Sequence, residues 1–103
     1  MSDSLFHKKT LNAGATGITT FPVSPGRQLQ VCVKDKGTGG IFSIIAYLDT
    51  AVDTPTREMW TLESAKNGEY AETSIGGFVA IGVNITAPSN GQIAIEVREF
   101  KLS

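Results

Sequence analysis

The chain has little of what most chemistry needs. Among 103 residues it holds one cysteine, one histidine and one tryptophan. A single cysteine excludes an internal disulfide framework. One histidine beside one cysteine leaves almost no material for a zinc site. Charge is sparse too, at 18% of residues against a usual quarter. Nine basic and ten acidic residues leave a net charge of -1. The basic footprint of a nucleic-acid binder is therefore missing. No apolar run approaches the roughly 20 residues that span a bilayer as a helix, so no membrane partner is expected. Met1-Ser2-Asp3-Ser4 lacks the charged and apolar regions of an export signal. The expectation is synthesis in a reducing cytoplasm without secretion, which the lone Cys32 suits.

What is present is apolar alternation. Hydrophobic residues make up 41% and glycine contributes 11 residues. A chain of this length buries about 65% of its unfolded surface, enough for one modest core. The expectation is one domain over residues 1–103, with 1–4 a loose N-terminal arm. The clearest strand runs from Gly77 to Thr86: Val79, Ile81, Val83 and Ile85 share one face, and Phe78, Ala80, Gly82 and Asn84 the other. In the last strand Ile93, Ile95 and Val97 face inward and Glu96 and Arg98 outward. Phe100 and Leu102 then take the opposite phase, which a bulge near Glu99 or a covered second face would explain. Arg27–Lys36 alternates with Leu29, Val31 and Val33 inward. In Ile41–Asp49, Phe42, Ile44, Ala46 and Leu48 form one face while Ile45 and Tyr47 load the other. Thr56–Glu63 places Trp60 and Leu62 inward. Glu69–Ile75, Leu5–Leu11 and Ala15–Phe21 complete the set. Asn67-Gly68 and Asn90-Gly91 supply positive φ for tight turns, and Lys36–Gly40 is a flexible tip. About eight short antiparallel strands with regular turns predict an all-β, two-sheet sandwich, Ig-like or jelly-roll-like. The core is expected to hold Leu29, Val31, Val33, Ile44, Trp60, Leu62, Val79, Ile81, Val83, Ile93, Ile95 and Val97.

No catalytic, cofactor-binding or metal-binding set emerges. His7 lies in a polar strand beside Lys8 and Lys9, with no Gly-x-Ser-x-Gly elbow to partner it, and reads as a surface or interface residue. Cys32, at an out-facing strand position, reads as a small apolar residue. Glu58, Glu63, Glu69, Glu72, Glu96 and Glu99 are the carboxylates available for acid–base work. Glu96 and Glu99 flank Arg98 and read as a solvated strand face. Asp49 and Asp53 match no EF-hand spacing, and Gly37–Gly40 lacks the Lys-Ser/Thr of a phosphate loop. Lys8, Lys9 and Lys101 form at most a small basic patch. The expectation is that the chain is not an enzyme.

Three stretches carry a resemblance: Ala13-Gly14-Ala15-Thr16-Gly17, Gly76-Gly77-Phe78-Val79-Ala80-Ile81-Gly82-Val83 and Gly91-Gln92-Ile93-Ala94-Ile95-Glu96-Val97. Small, near-neutral, Gly/Thr/Ser-rich and all-β in style, the chain resembles accessory virion proteins of tailed bacteriophages, of the capsid decoration or cement kind. That resemblance implies a structural protein of the virion that binds a shell of major capsid protein, often as a trimer, with no cofactor. Leu5, Phe6, Ile45, Tyr47, Phe100 and Leu102 are apolar where a free monomer is usually polar, so they are the expected interface for a homo-oligomer or a shell. A covering loop or second sheet would hide them equally well. The alternative is a carbohydrate-binding module or a tail- or fibre-associated adhesion domain using Tyr47, Tyr70 or the Asp49–Pro55 loop.

Overall fold

The computed structural model describes residues 4–24, 27–47, 59–74 and 78–101, the side chains of residues 4, 5, 59, 60, 74 and 101 excepted. Eight strands follow in order: β1 (Ser4–Leu11), β2 (Gly17–Pro22), β3 (Arg27–Asp35), β4 (Ile41–Tyr47), β5 (Met59–Lys66), β6 (Glu69–Ser74), β7 (Ala80–Ala87) and β8 (Ile93–Lys101). They form two four-stranded sheets, β1-β8-β3-β6 and β2-β7-β4-β5, here sheets A and B. Every pairing is antiparallel. β1 pairs with β8, β2 with β7, β3 with β6 and β4 with β5, so the chain is one long hairpin whose rungs alternate between sheets. That order is a jelly roll rather than an Ig sandwich.

The core follows from alternation on the four central strands. Sheet A contributes Leu29, Val31 and Val33 from β3 and Ile93, Ile95 and Val97 from β8. Sheet B contributes Phe42, Ile44 and Ala46 from β4 and Ile81, Val83 and Ile85 from β7. Register matches them face to face: Val31 opposite Val97, Val33 opposite Ile95, Ile44 opposite Val83 and Ala46 opposite Ile81. Each large aliphatic side chain removed from water contributes about 1.5–3 kcal/mol. Leu62 packs against this core only partly buried. Trp60 stands opposite Ala46 in the backbone register, and its side chain lies outside the described residues. Phe21 and Val23 are also buried, although Val23 follows Pro22 and belongs to no alternating strand.

Several local readings need correction. β8 pairs with β1 and β3 without a register break, so no bulge interrupts it near Glu99. Alternation simply continues: Glu99 takes the next inward position after Val97 and is 1% exposed, not on a solvated face. Phe100 accordingly lies on the outer face, as the covered-face alternative required. Val79 does not join the inner row. β7 begins only at Ala80, Phe78 packs against the main core, and Val79 packs on the outer cluster of Ile45, Tyr47 and Ala80. The backbone phase therefore slips just before β7, where Val79 donates to the Tyr47 carbonyl and accepts from Val23. β5 runs to Lys66 and carries two register irregularities against β4, with Ala65 at φ 54° beside one of them.

The Lys36–Gly40 tip is pinned rather than loose. The Asp35 carboxylate accepts from Gly37 N at 2.8 Å, from Gly40 N at 3.0 Å and from the Ser89 hydroxyl. Asn90 Oδ1 accepts from Thr38 N at 2.8 Å. Gly68 has the expected positive φ. Gly91 does not, and close approach is its reason instead. A Cβ on Gly37 would meet Gly91 N at 2.4 Å, so the β3–β4 tip and the β7–β8 turn touch backbone to backbone.

Candidate functional site

The outer face of sheet A carries the strongest surface chemistry. On β1, Phe6 stands opposite Arg98 of β8, and Arg98 stands opposite Gln30 of β3. Strand alternation puts Phe100 on this same face, two residues beyond Arg98. The Arg98 guanidinium carbon lies 5.3 Å from the Phe6 ring centroid and 5.9 Å from that of Phe100. Both distances are within cation–π range. Phe6 is 49% exposed, which is unusual for a large apolar ring on an edge strand. Toward the other end of the same face the side chains shrink. Thr10, Cys32, Ala71 and Ala94 line a groove of about 650 Å³, with Lys8, Lys34 and Glu96 also lining it. Lys34 pairs there with Glu69 at 3.1 Å, both well exposed, so the pair contributes little to stability.

Directly beneath Phe6 and Arg98 lies a buried charge. Glu99 Oε2 accepts from His7 Nε2 at 2.6 Å, and Glu99 Oε1 accepts from the Ser24 backbone N–H at 2.7 Å. An ionised carboxylate only accepts, so His7 Nε2 carries the proton. Burial raises the Glu99 carboxyl, but the hydrogen bonds from His7 and Ser24 outweigh it and hold the group below the usual carboxylate range. His7 is therefore not a free surface residue. Its ring, 6.2 Å from that of Phe21, ties edge strand β1 and the chain after β2 to one carboxylate. The order is histidine–carboxylate–serine, with Glu99 in the middle. A nucleophile would need the histidine in the middle, next to the hydroxyl.

A second polar cluster joins β5 and β6 across the open side of the sandwich. Lys66 Nζ lies 3.4 Å from Glu63 Oε2 and 5.2 Å from the Tyr70 ring centroid. Tyr70 is pushed up to about 12, first by burial and then by its hydrogen bond to Glu63. Glu72 is raised by burial first and by the Glu63 charge second, against the pull of Lys66. Its Oε2 is buried without a hydrogen-bond partner. Of the carboxylates singled out in the sequence, Glu63 and Glu72 thus come into electrostatic contact, but neither lines the sheet A groove. Among the described residues no three His, Cys, Asp or Glu side chains come together to hold a metal.

The six expected interface residues fall into different settings. Phe6 is exposed and Phe100 half-buried, and they share Arg98. Ile45 and Tyr47 are 6% and 5% exposed, packed with Ala80 on the outer face of sheet B within the single chain. The Tyr47 ring crosses Gly82 so closely that a Cβ there would sit 3.1 Å from it. Leu5 stands opposite Glu99 in the backbone register; its side chain and all of Leu102 lie outside the described residues. For a sugar site, Tyr47 is buried and Tyr70 half-buried with its ring 6.5 Å from Phe42, while Asp49–Pro55 lies outside the described residues. Sequence reading missed Arg98 as the centre of the face. The signal for it was the unbroken β8 alternation, which sends Arg98 and Phe100 to one side and Glu99 to the other.

No family model matches the chain, and no curated protein sequence matches it. Solved structures share its fold at low identity. The SPBc2 prophage-derived protein YomS has a TM-score of 0.59 and 15% identity over 96% of each chain. The IMPa metallopeptidase has a TM-score of 0.56 and 14% identity over 94% of this chain but 13% of that one. The family 11 carbohydrate-binding module from Clostridium thermocellum has a TM-score of 0.51 and 8% identity over 98% of this chain and 85% of that one. At such identities the likeness is one of fold. The jelly roll stands as nearly a whole chain in the first and as a small part of a large enzyme in the second.

Proposed function

We propose that this chain is a non-enzymatic structural protein that docks on a larger protein assembly, specifically a capsid decoration protein of a tailed bacteriophage, and that it docks through the outer face of sheet A. The observation that carries the reading is the cluster of exposed Phe6 and Arg98 with half-buried Phe100, on a face whose edge strand is tied down by the buried Glu99 beneath it. Aromatic and arginine side chains are the residues that dominate binding energy at protein interfaces. Jelly rolls occur in viral capsid and lectin domains, and a prophage-derived protein of nearly the same extent shares this fold, which supports the reading without assigning it. Docking of this kind stabilises the shell by mass action, since ligand bound to the assembled state shifts assembly toward it. The groove favours one second reading, glycan binding, because its Lys8, Thr10, Lys34 and Glu96 offer hydrogen-bonding groups around a floor of small residues.

The test is co-sedimentation with shells of the phage or prophage that encodes the chain. The parent should pellet with the shells at micromolar concentration, and Phe6→Ser should remain in the supernatant with an unchanged melting curve. A parent that stays in the supernatant refutes the docking reading, and retention on a glycan array would then favour the groove.

A further inference from the structure

We infer that Arg98 is the specificity centre of this face and that its partner is a protein surface presenting a carboxylate among apolar side chains. The inference rests on the docking reading and names the partner's chemistry. Three features of this face lead to it. First, two rings flank the guanidinium, so part of the side-chain freedom that binding would cost is already spent. Second, ring contacts engage its charge but satisfy none of its N–H donors. No carboxylate among the described residues lies within ion-pair distance of Arg98, and its register neighbours on this face are Phe6 and Gln30. Glu96, two residues back on the same face, makes no ion pair with it. A planar fork of donors with no carboxylate partner among the described residues fits a bidentate oxyanion. Third, Phe6 at 49% exposure beside that fork asks for apolar cover, which a lone small anion does not provide.

Two competing occupants are less favoured. Phosphate also matches a guanidinium fork, but a phosphate polymer is held by many cations, and this chain has a net charge of -1. A second copy docking face to face would be isologous, so Arg98 would have to reach Glu96 of the copy, a carboxylate that lines the groove with Lys8 and Lys34 rather than standing among bulky apolar side chains. A heterologous carboxylate avoids both problems. It would bridge the Arg98 donors while its apolar surround covers Phe6 and Phe100, excluding water from the ion pair and so strengthening it.

The experiment is selection of binders from a random linear peptide library on the immobilised full chain, followed by titration of a selected peptide. Enriched peptides should carry Asp or Glu beside bulky apolar residues. Binding should weaken about tenfold or more in Arg98→Gln and in Phe6→Ser, and Arg98→Lys should not restore it, because lysine keeps the charge without the planar fork. Selected peptides without carboxylates, equal binding by R98Q, or no enrichment at all would overturn the inference. So would retention of a single-stranded oligonucleotide that R98Q loses, or a dimer in sedimentation that R98Q dissolves. The selection requires no shell. Carboxylate peptides lost in R98Q, together with a parent that ignores shells, would sink capsid docking and leave the Arg98 assignment standing. Shell binding that is indifferent to Arg98 would do the reverse.

Discussion

Removing His7 is the sharpest test of how the face is held. In the parent, the Glu99 carboxylate is almost wholly buried and is held by His7 at 2.6 Å and by Ser24 N at 2.7 Å. Breaking a buried pair by deleting one partner costs about 3–5 kcal/mol when nothing replaces it. Here the His7 side chain is 27% exposed and the Ser24 bond survives, so water recovers part of the loss. His7→Ala should therefore cost about 2–3 kcal/mol at pH 7, or a fall of about 10–20 °C in Tm for a domain of this size. The pH dependence carries the mechanism. In the parent the folded carboxyl titrates below its unfolded value, so its contribution is complete above about pH 4.3 and fades as pH falls through the lower folded value. Without His7, burial is opposed by Ser24 alone, so the carboxyl rises from its place in the parent and ionised Glu99 contributes less near neutrality, a difference that vanishes once the group is protonated. The cost of His7→Ala should thus be largest at pH 7 and shrink toward pH 3. In an E99Q background, which has no charge to strand, the same substitution should cost under about 1 kcal/mol. Urea unfolding followed by far-UV circular dichroism at pH 3, 5 and 7 measures all of this. Equal costs of His7→Ala at pH 3 and pH 7, or in both backgrounds, would refute the reasoning.

Three further outcomes are expected. Gly37→Ala should destabilise by about 1–3 kcal/mol and disturb the amide resonances of Asn90 and Gly91, because its Cβ would meet backbone that cannot rotate away. Ala65→Gly should be neutral or stabilise by up to about 1 kcal/mol, since relief of a left-handed φ exceeds the added backbone entropy of glycine, whereas Ala65→Val should destabilise in the same urea series. Glu72→Gln should raise Tm at pH 7 and leave it unchanged at pH 3: the folded carboxyl titrates above its unfolded value, so the parent loses stability as pH rises through that interval and the amide does not.

Much of the architecture was legible as alternation. Val31, Val33, Ile81, Val83, Ile93, Ile95 and Val97 could be assigned to the core because a strand has a period of two and their neighbours are small or polar. The same rule, carried one step further, puts Glu99 inside, yet charge made it look like surface. Composition argues against burying a carboxylate. Only a partner from another strand reverses that, and His7 lies 92 residues away in sequence. Val79 shows the opposite failure, because its apolar character fitted the pattern while the backbone ahead of Ala80 left strand geometry.

By itself the sequence determined the class of fold, the number of strands and most of the inner rows, because local alternation and turn residues act through neighbours a few positions apart. It did not determine that Asn90-Gly91 serves close packing, that Ile45 and Tyr47 are covered within the chain, or that Phe6 and Phe100 meet around Arg98. Each of these depends on which strands become neighbours. In a jelly roll those neighbours are drawn from opposite ends of the chain, so the face that Phe6 and Arg98 present, and the buried carboxylate that supports it, exist only once β1 has paired with β8.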